Sequence, residues 1–316
     1  MSTLTVLTVS YYPDLSRFVN LHESVKRHSG PDVKHLVVVP DRDVPAFESI
    51  ATDRLEVHPV SRYLPKSFLS TYPIAQVMRS HSRIPRSIRN IQAVNLRRPW
   101  PPIRGWALQQ VVKLTAAGES GADVVLTADS DVTMIRSFGA DDFIDANGAV
   151  RFYRRPGGIG PHLIRHVRWH AVADRLLRTP AGRVDPTTDY ISSPLAWSPV
   201  IIREMAERIT RSTGKEWRQA IASELDFSEC ILYGAFVEGF GTDRARSFNS
   251  VDSLCRVYWD PVPLDSAGAD LFVSAIGPQD LAIVIQSTSG TPDEICKYIV
   301  SAAEATTTSV AKGDSQ

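Results

Sequence analysis

The stretch KHLVVVPD, residues 34–41, is a continuous apolar run of strand length closed by Pro40 and Asp41. It does not alternate polar with apolar, so it suits a strand buried on both faces. Such strands belong to parallel sheets covered by helices on either side. The flanking sequence agrees. TLTVLTV, residues 3–9, reads as a first strand. In LSRFVNLHESVKRH, residues Leu15, Phe18, Val19, Leu21 and Val25 fall mostly on one helical stripe. LEVHPV reads as a third strand. This β-α-β opening is the start of a doubly wound α/β sheet.

Further along, GWALQQVVKLTAAGES predicts a helix, with Ala107, Val111, Leu114 and Ala117 on its buried stripe and Gly118 near its end. AVRFYRR reads as a strand, PHLIRHVRWHAVADRLL as a helix, and DYISSPLAWSP as a strand exposing polar groups. VIIREMAERITRSTG and DFSECILYGAFVEGFG predict helices, and LFVSAI and LAIVIQS predict strands. The tail from about Ala303 is small and polar and predicts disorder. The expected organisation is one α/β domain over residues 1–302, a mixed and mostly parallel sheet flanked by helices. Its halves would be 1–135, which binds a nucleotide, and 136–302, which takes an acceptor. Residues 64–102 would form a basic insertion or flap, and 303–316 a disordered tail.

At 43% hydrophobic and 22% charged residues, 316 residues supply a sizeable core. The 35 basic and 35 acidic residues cancel, so no overall field argues for nucleic acid. Three cysteines without a CxxC pair argue against a disulfide framework and a structural zinc site. No basic n-region precedes the first strand, and no stretch reaches the roughly 20 apolar residues of a membrane helix. A soluble, reduced, cytoplasmic protein is the expectation. The charges are uneven, however. No Asp or Glu lies between Glu56 and Glu119, while Arg62, Lys66, Arg79, Arg83, Arg86, Arg89, Arg97, Arg98, Arg104 and Lys113 do. A second basic stretch runs from Arg151 to Arg183, offset only by Asp174. Two solvated faces balanced elsewhere, or a region facing an anionic ligand, both account for this.

DVVLTADSDVTMI, residues 123–135, carries two carboxylates at the end of an apolar approach. On an extended chain, residues two apart point the same way, roughly 6–7 Å apart. Asp129 and Asp131 would then share one space at the carboxyl end of a buried strand, where open α/β sheets bind ligands. Two desolvated carboxylates repel, and a divalent cation relieves this; hard oxygen ligands suit Mg²⁺ or Mn²⁺, which usually also hold substrate phosphates. The alternative is a pair of strand-end aspartates in a solvated turn. His162, His166 and His170 recur at helical spacing but among arginines, which suits a solvated or anion-facing helix better than a metal site.

DSDVT, through Thr133, matches the D-x-D-x-T of haloacid dehalogenase-like phosphatases, whose motif sits on the first strand and needs a later acidic pair. The chain resembles more closely the nucleotide-sugar glycosyltransferases of the GT-A type, whose D-x-D lies mid-chain after a β-α-β half. GWALQQVVKL before DSDV, with FSECILYGAFVE and VYWD after it, resembles a bacterial GT-A-like group, DUF6492. That resemblance runs from TLTVLTVSYYPD to about IVIQST. It implies a GT-A-like, Rossmann-like fold and transfer of a sugar from a UDP- or GDP-sugar to a small-molecule or glycan acceptor. Mg²⁺ or Mn²⁺ on Asp129 and Asp131 would assist, with Ser130 between them. A silent sugar-nucleotide binder is the non-catalytic alternative.

The GT-A template implies roles by position. Thr8, Ser10, Tyr11 and Tyr12 would line the nucleotide base, and Asp41 would hold uracil or ribose. Arg104, Gln109, Gln110 and Lys113 would bind donor ribose or phosphate. Asp226 and Glu229 have capping-box spacing, and Glu229 is favoured over Asp226 as the carboxylate that activates the acceptor. Asp189 is an alternative base or sugar ligand. Trp197, Tyr233 and Trp259 would offer apolar platforms for the acceptor or sugar. The third metal ligand usual in such sites, a late histidine, is missing, since none follows His170; Cys255 or Asp260 lies nearest.

Overall fold

The computed structural model describes residues 2–70, 91–96, 98–241 and 246–313. The first half alternates β1 (Leu4–Val9), α1 (Leu15–His28), β2 (Lys34–Val39), α2 (Val44–Glu48) and β3 (Leu55–Pro59). Strands β4 (Phe68–Ser70), β5 (Ile91–Asn95) and β6 (Arg98–Arg104) then form an antiparallel sheet of their own. Helix α3 (Gly105–Glu119) leads into β7 (Val124–Thr127) and β8 (Val132–Met134). The second half carries β9 (Val150–Tyr153), α4 (Ile164–Leu177), β10 (Leu195–Trp197), α5 (Pro199–Thr213), α6 (Trp217–Ala222) and α7 (Glu229–Phe240). It closes with β11 (Ser247–Ser250), β12 (Cys255–Tyr258), α8 (Ser266–Ser274), β13 (Ala282–Ile285) and α9 (Asp293–Gly313).

The central sheet has the order β10-β7-β1-β2-β3. All its pairings are parallel except β10, which runs antiparallel to β7. This is the mixed, mostly parallel sheet flanked by helices that the apolar run at residues 34–41 implied. Alternate residues supply the two faces. Leu7, Val9, Leu36, Val38 and Val125 bury against α3, α5 and α7. Leu4, Val6, Val124 and Leu126 bury with Leu21 and Val25 of α1, while Phe18 packs on Val37 and Val39. Helix α3 is buried nearly all round, as a helix held between a sheet and further helices must be. Two small sheets complete the chain: β12-β13-β8, and the parallel pair β11-β9.

Several elements depart from expectation. LFVSAI is not a strand: Leu271–Ser274 are the end of α8, because Asp265 caps the helix by accepting from the Gly268 amide (2.8 Å) while Ala269 and Phe272 turn inward. The polar tail does not begin at Ala303; α9 continues to Gly313, and Ile299 and Ala303 pack on Phe272, Leu264 and Ile283. The described part of the basic insertion is the β4-β5-β6 sheet, whose Phe68, Ala93 and Ile103 join the core under α3. Arg79, Arg83, Arg86, Arg89 and Arg97 lie outside the described residues. No helix among the described residues is long and apolar enough to cross a membrane.

Between Glu229 and Glu238, helix α7 is apolar on every side, and it enters the core beside Tyr190. At Gly234 the helix backbone meets the ring so closely that a Cβ there would sit inside contact distance of Tyr190 Cγ, Cδ1 and Cδ2. Helix propensity alone favours alanine over glycine by about 1 kcal/mol, but overpacking a close-packed core costs about 1–3 kcal/mol. Gly234→Ala is therefore expected to lower the urea midpoint. An unchanged or raised midpoint would show that α7 can withdraw from the ring without loss.

Candidate active site

Strand β7 ends at Thr127, and the chain then turns rather than running on extended. The Val132 amide donates to the Asp129 carbonyl (3.0 Å), closing a tight turn over Asp129–Val132. Beyond it, β8 leaves the central sheet to pair with β13. The turn is clamped from below by β1. Thr8 Oγ1 donates to the Ala128 carbonyl (2.8 Å), and the Ser10 and Ser130 hydroxyls lie 2.9 Å apart. Helix α3 joins the clamp, since Gln109 Nε2 donates to the Val9 carbonyl (3.1 Å).

Above the clamp sits a buried charge cluster. Lys113 Nζ donates to Asp129 Oδ1 (3.0 Å) and to Glu229 Oε1 (3.1 Å). The lysine and glutamate side chains are 11% and 9% exposed, whereas Asp129 is half exposed. Burial alone would lower the Lys113 pKa, but the two carboxylates outweigh it and hold the ammonium charged well above the usual lysine range. Glu229 opens α7, where Ser228 is the N-cap and its hydroxyl accepts from the Ile231 amide. The Glu229 amide donates to Gln110 Oε1 (2.9 Å), one helical turn before Lys113. Gln110 Nε2 is buried with no hydrogen-bond partner among the described residues.

Asp131 lies on the other side of the turn. Burial and the charge of Asp129 push its pKa up to about 6, against opposing bonds from the Ser287 amide (3.3 Å) and from its own backbone amide. Three carboxylates and one ammonium leave this cluster two charges negative, the condition a divalent cation relieves. Among the described residues, no group of three or more His, Cys, Asp or Glu side chains gathers as a metal cluster. Asp129 and Asp131 are the residues that could hold a cation, leaving further positions to a ligand's own oxygens.

Beneath the turn runs a polar relay. His35 sits on β2, and its Nε2 is 3.0 Å from Thr8 Oγ1. Its Nδ1 is 3.0 Å from His22 Nδ1, and His22 Nε2 is 3.1 Å from Thr52 Oγ1. The Ala128 carbonyl can only accept, so Thr8 donates there and accepts from His35 Nε2–H. His35 Nδ1 is then the bare nitrogen and accepts from His22 Nδ1–H. His22 Nε2 in turn accepts from Thr52. The network assigns both tautomers, with both rings neutral. Burial lowers the pKa of both histidines, that of His35 furthest.

A family model described as "Family of unknown function (DUF6492)" matches residues 3–266. The chain belongs to DUF6492. No curated protein matches this DUF6492 chain. Among solved structures it is similar to mouse xyloside xylosyltransferase 1 in its apo form, at 12% identity over 92% of this chain and 100% of that one, TM-score 0.43. It is also similar to the galactosyltransferase LgtC in complex with donor and acceptor sugar analogs, at 10% identity over 94% of this chain and 95% of that one, TM-score 0.44.

In this DUF6492 member, the residues singled out from sequence fall into three groups. Asp129, Ser130, Asp131, Ser10, Gln109, Gln110, Lys113 and Glu229 converge on the turn. Asp189 lies between α4 and β10, where its backbone pairs with Arg155. One Asp189 oxygen accepts from the Ile191 amide (3.0 Å). Tyr11, Tyr12 and Trp259 are exposed, and Trp259 stands at the end of β12, whose parallel partner β13 leads to Ser287.

The third group is corrected. Thr8 is wholly buried with its hydroxyl engaged on both sides, so it lines no base. Trp197 and Tyr233 stack on each other in the core, Tyr233 Oη accepting from the Ser198 amide, and neither offers a face to a sugar. Asp41 is not closed off in this way: it stays exposed beyond β2 and accepts from the amide and hydroxyl of Ser61. Asp226 is neither a cap nor a free base. It holds Arg165, which stacks over Trp106 and Trp169 (4.7 and 4.8 Å to the centroids) beside exposed Arg104. Burial pushes the Asp226 carboxyl up, but the bonds from Arg165 and from Trp169 Nε1 outweigh this and hold it below the usual range. Of the three spaced histidines, His162 precedes α4 and His170 is buried on the Thr188 carbonyl. Cys255 is buried, and Asp260 accepts from the Val262 amide.

Sequence reading missed His22, His35 and Ser287. A histidine interrupting each of two otherwise apolar faces was the available signal for the first two. An unfolded chain protonates both near the ordinary histidine value of about 6.5, while the folded chain resists. Their contribution to stability is whole above that value and is lost as the pH falls below it. Between about 4 and about 6 Asp131 works the other way, because there the folded state holds the proton more tightly. Urea stability is expected to drop from pH 7.5 to pH 6, by up to about 1.4 kcal/mol per pH unit per histidine. The double variant His22→Gln/His35→Gln should show a flatter profile; an equal slope would exclude the pair as its source.

Proposed function

We propose that this chain is a glycosyltransferase of the GT-A type, taking a nucleotide-diphosphate sugar as donor with Mg²⁺ or Mn²⁺ at Asp129 and Asp131. The observation that carries this reading is the excess of negative charge on a clamped turn at the carboxyl end of a parallel strand. Ligands of open α/β sheets bind beyond those strand ends. Phosphate and carboxylate are both anionic, so a cation between them is what lets such a site take a diphosphate. When bound, the cation would supply charge neutralisation for the leaving diphosphate.

The chain's own residues would do the rest. Ser10, Ser130 and Gln109 hold the turn at fixed height above β1. The exposed Tyr11 and Tyr12 beside it offer rings for a base. Gln110, on the same helix, fixes the Glu229 amide behind the site. Glu229 is engaged with Lys113, so its first task is to hold that ammonium. Asp189, with one oxygen beyond its bond to Ile191, is the carboxylate that would take the acceptor's proton. The D-x-D-x-T phosphatase reading fits less well, because the motif follows the strand beside β1, not β1 itself.

Thermal unfolding with UDP, GDP, ADP or CDP, with and without Mn²⁺, tests the donor half. At a hundredfold excess over Kd, binding adds about 2.7 kcal/mol of stability. Stabilisation by UDP or GDP that requires Mn²⁺ and is lost in Asp131→Asn is expected. No shift with any nucleotide, or a shift indifferent to the metal, would sink the proposal, and release of phosphate from simple phosphate esters would replace it.

A further inference from the structure

The first aspartate of the motif already has a cation beside it. Lys113 Nζ is 3.0 Å from Asp129 Oδ1 and 3.1 Å from Glu229 Oε1. We propose that Lys113 is a built-in counter-ion that competes with the divalent cation for Asp129 and, on loading, is released to Glu229. This rests on the metal site proposed above and concerns how that site is held before and after the cation arrives.

Three observations support an exchange rather than a fixed pair. First, the turn that carries the carboxylate is held in place on both sides of Asp129, by Thr8 on the Ala128 carbonyl and by Ser10 on the Ser130 hydroxyl. Second, the ammonium has a second anchor at hand. Glu229 is buried, its amide fixed by Gln110, and Lys113 is the ion-pair partner it has among the described residues. Third, the two carboxylates that Lys113 bridges differ in exposure. Asp129 is half open to the solvent from which a cation would come, while Glu229 is closed. Two cations on one carboxylate repel across a few ångströms, and the lysine stem has the rotatable bonds to let its ammonium shift. No bond is made or broken and no proton moves; Lys113 stays charged throughout, because it leaves one carboxylate while keeping the other.

A division of labour follows. Glu229 is a positioning residue: it sets how tightly Lys113 holds Asp129, and so how strongly the metal must bind to take its place. Removing Glu229 alone leaves the ammonium to Asp129 and should weaken metal binding. Removing Lys113 and Glu229 together keeps the net charge of the trio but frees Asp129, and should strengthen it.

Direct Mn²⁺ titration of the full chain, followed by the electron paramagnetic resonance of the free ion, reads this without any activity assay. Lys113→Met/Glu229→Gln is expected to bind Mn²⁺ about tenfold tighter than the unaltered chain, and Glu229→Gln about tenfold weaker. Asp131→Asn added to the double variant should abolish the gain, which ties the signal to this site. Circular dichroism at the titration temperature confirms that each variant is folded; should the double variant not be, Lys113→Gln/Glu229→Gln serves in its place. Equal affinity in all folded variants would overturn the exchange alone and leave the metal site standing. Absence of Mn²⁺ binding in both the unaltered chain and the double variant would overturn the metal site, and the exchange with it.

Discussion

A buried ammonium shared by two carboxylates organises the middle of this molecule. Lys113 comes from the helix before the D-x-D strand, Asp129 from the turn after it, and Glu229 from the first residue of a helix a hundred residues beyond that turn. Breaking one partner of a buried ion pair is far more costly than the pair is stabilising, because the survivor is left uncompensated. The two halves of the chain are therefore registered on one another at this point. The bond from the Glu229 amide to Gln110 repeats the connection one turn back along α3.

Around that point the fold supplies rigidity by ordinary means. Helix α3 is gripped by the central sheet on one side and by α5, α6 and α7 around the rest, so the donors it carries have little freedom. The small sheet β12-β13-β8 does for Asp131 what α3 does for Asp129: it brings the Ser287 amide up to the second carboxylate. The site is thus walled by two different parts of the chain, one polar and charged, one presenting backbone.

What could be read from sequence was what repeats locally. The β-α-β opening, α3 and the strand before the aspartates all announce themselves through apolar spacing. LFVSAI did not, because a short apolar run fits strand and helix alike; the capping Asp265 just before it was the discriminating residue. Asp129 and Asp131 were legible as a pair, but not as a turn, since the bond that closes it is backbone to backbone. Lys113 and Glu229 were each legible as candidates, yet nothing local says that they meet. Thr8, Trp197 and Tyr233 were misread because burial depends on what the rest of the chain lays over them. Ser287 was invisible, as it acts through an amide that every residue but proline has.

The relay from Thr52 to Ala128 has a direction. Each O–H and N–H along it points toward the turn, so Thr52, His22, His35 and Thr8 form a column of aligned bond dipoles with the positive end at the Ala128 carbonyl, next to Asp129. Aligned hydrogen bonds polarise one another. The column is neutral, yet it leans toward the anionic side of the protein much as a helix N-terminus does. It cannot reverse one bond at a time: turning any member around would set two hydrogens or two lone pairs face to face. The underside of the turn therefore carries a permanent electrical polarity, written in uncharged groups and fixed by a carbonyl that can only accept.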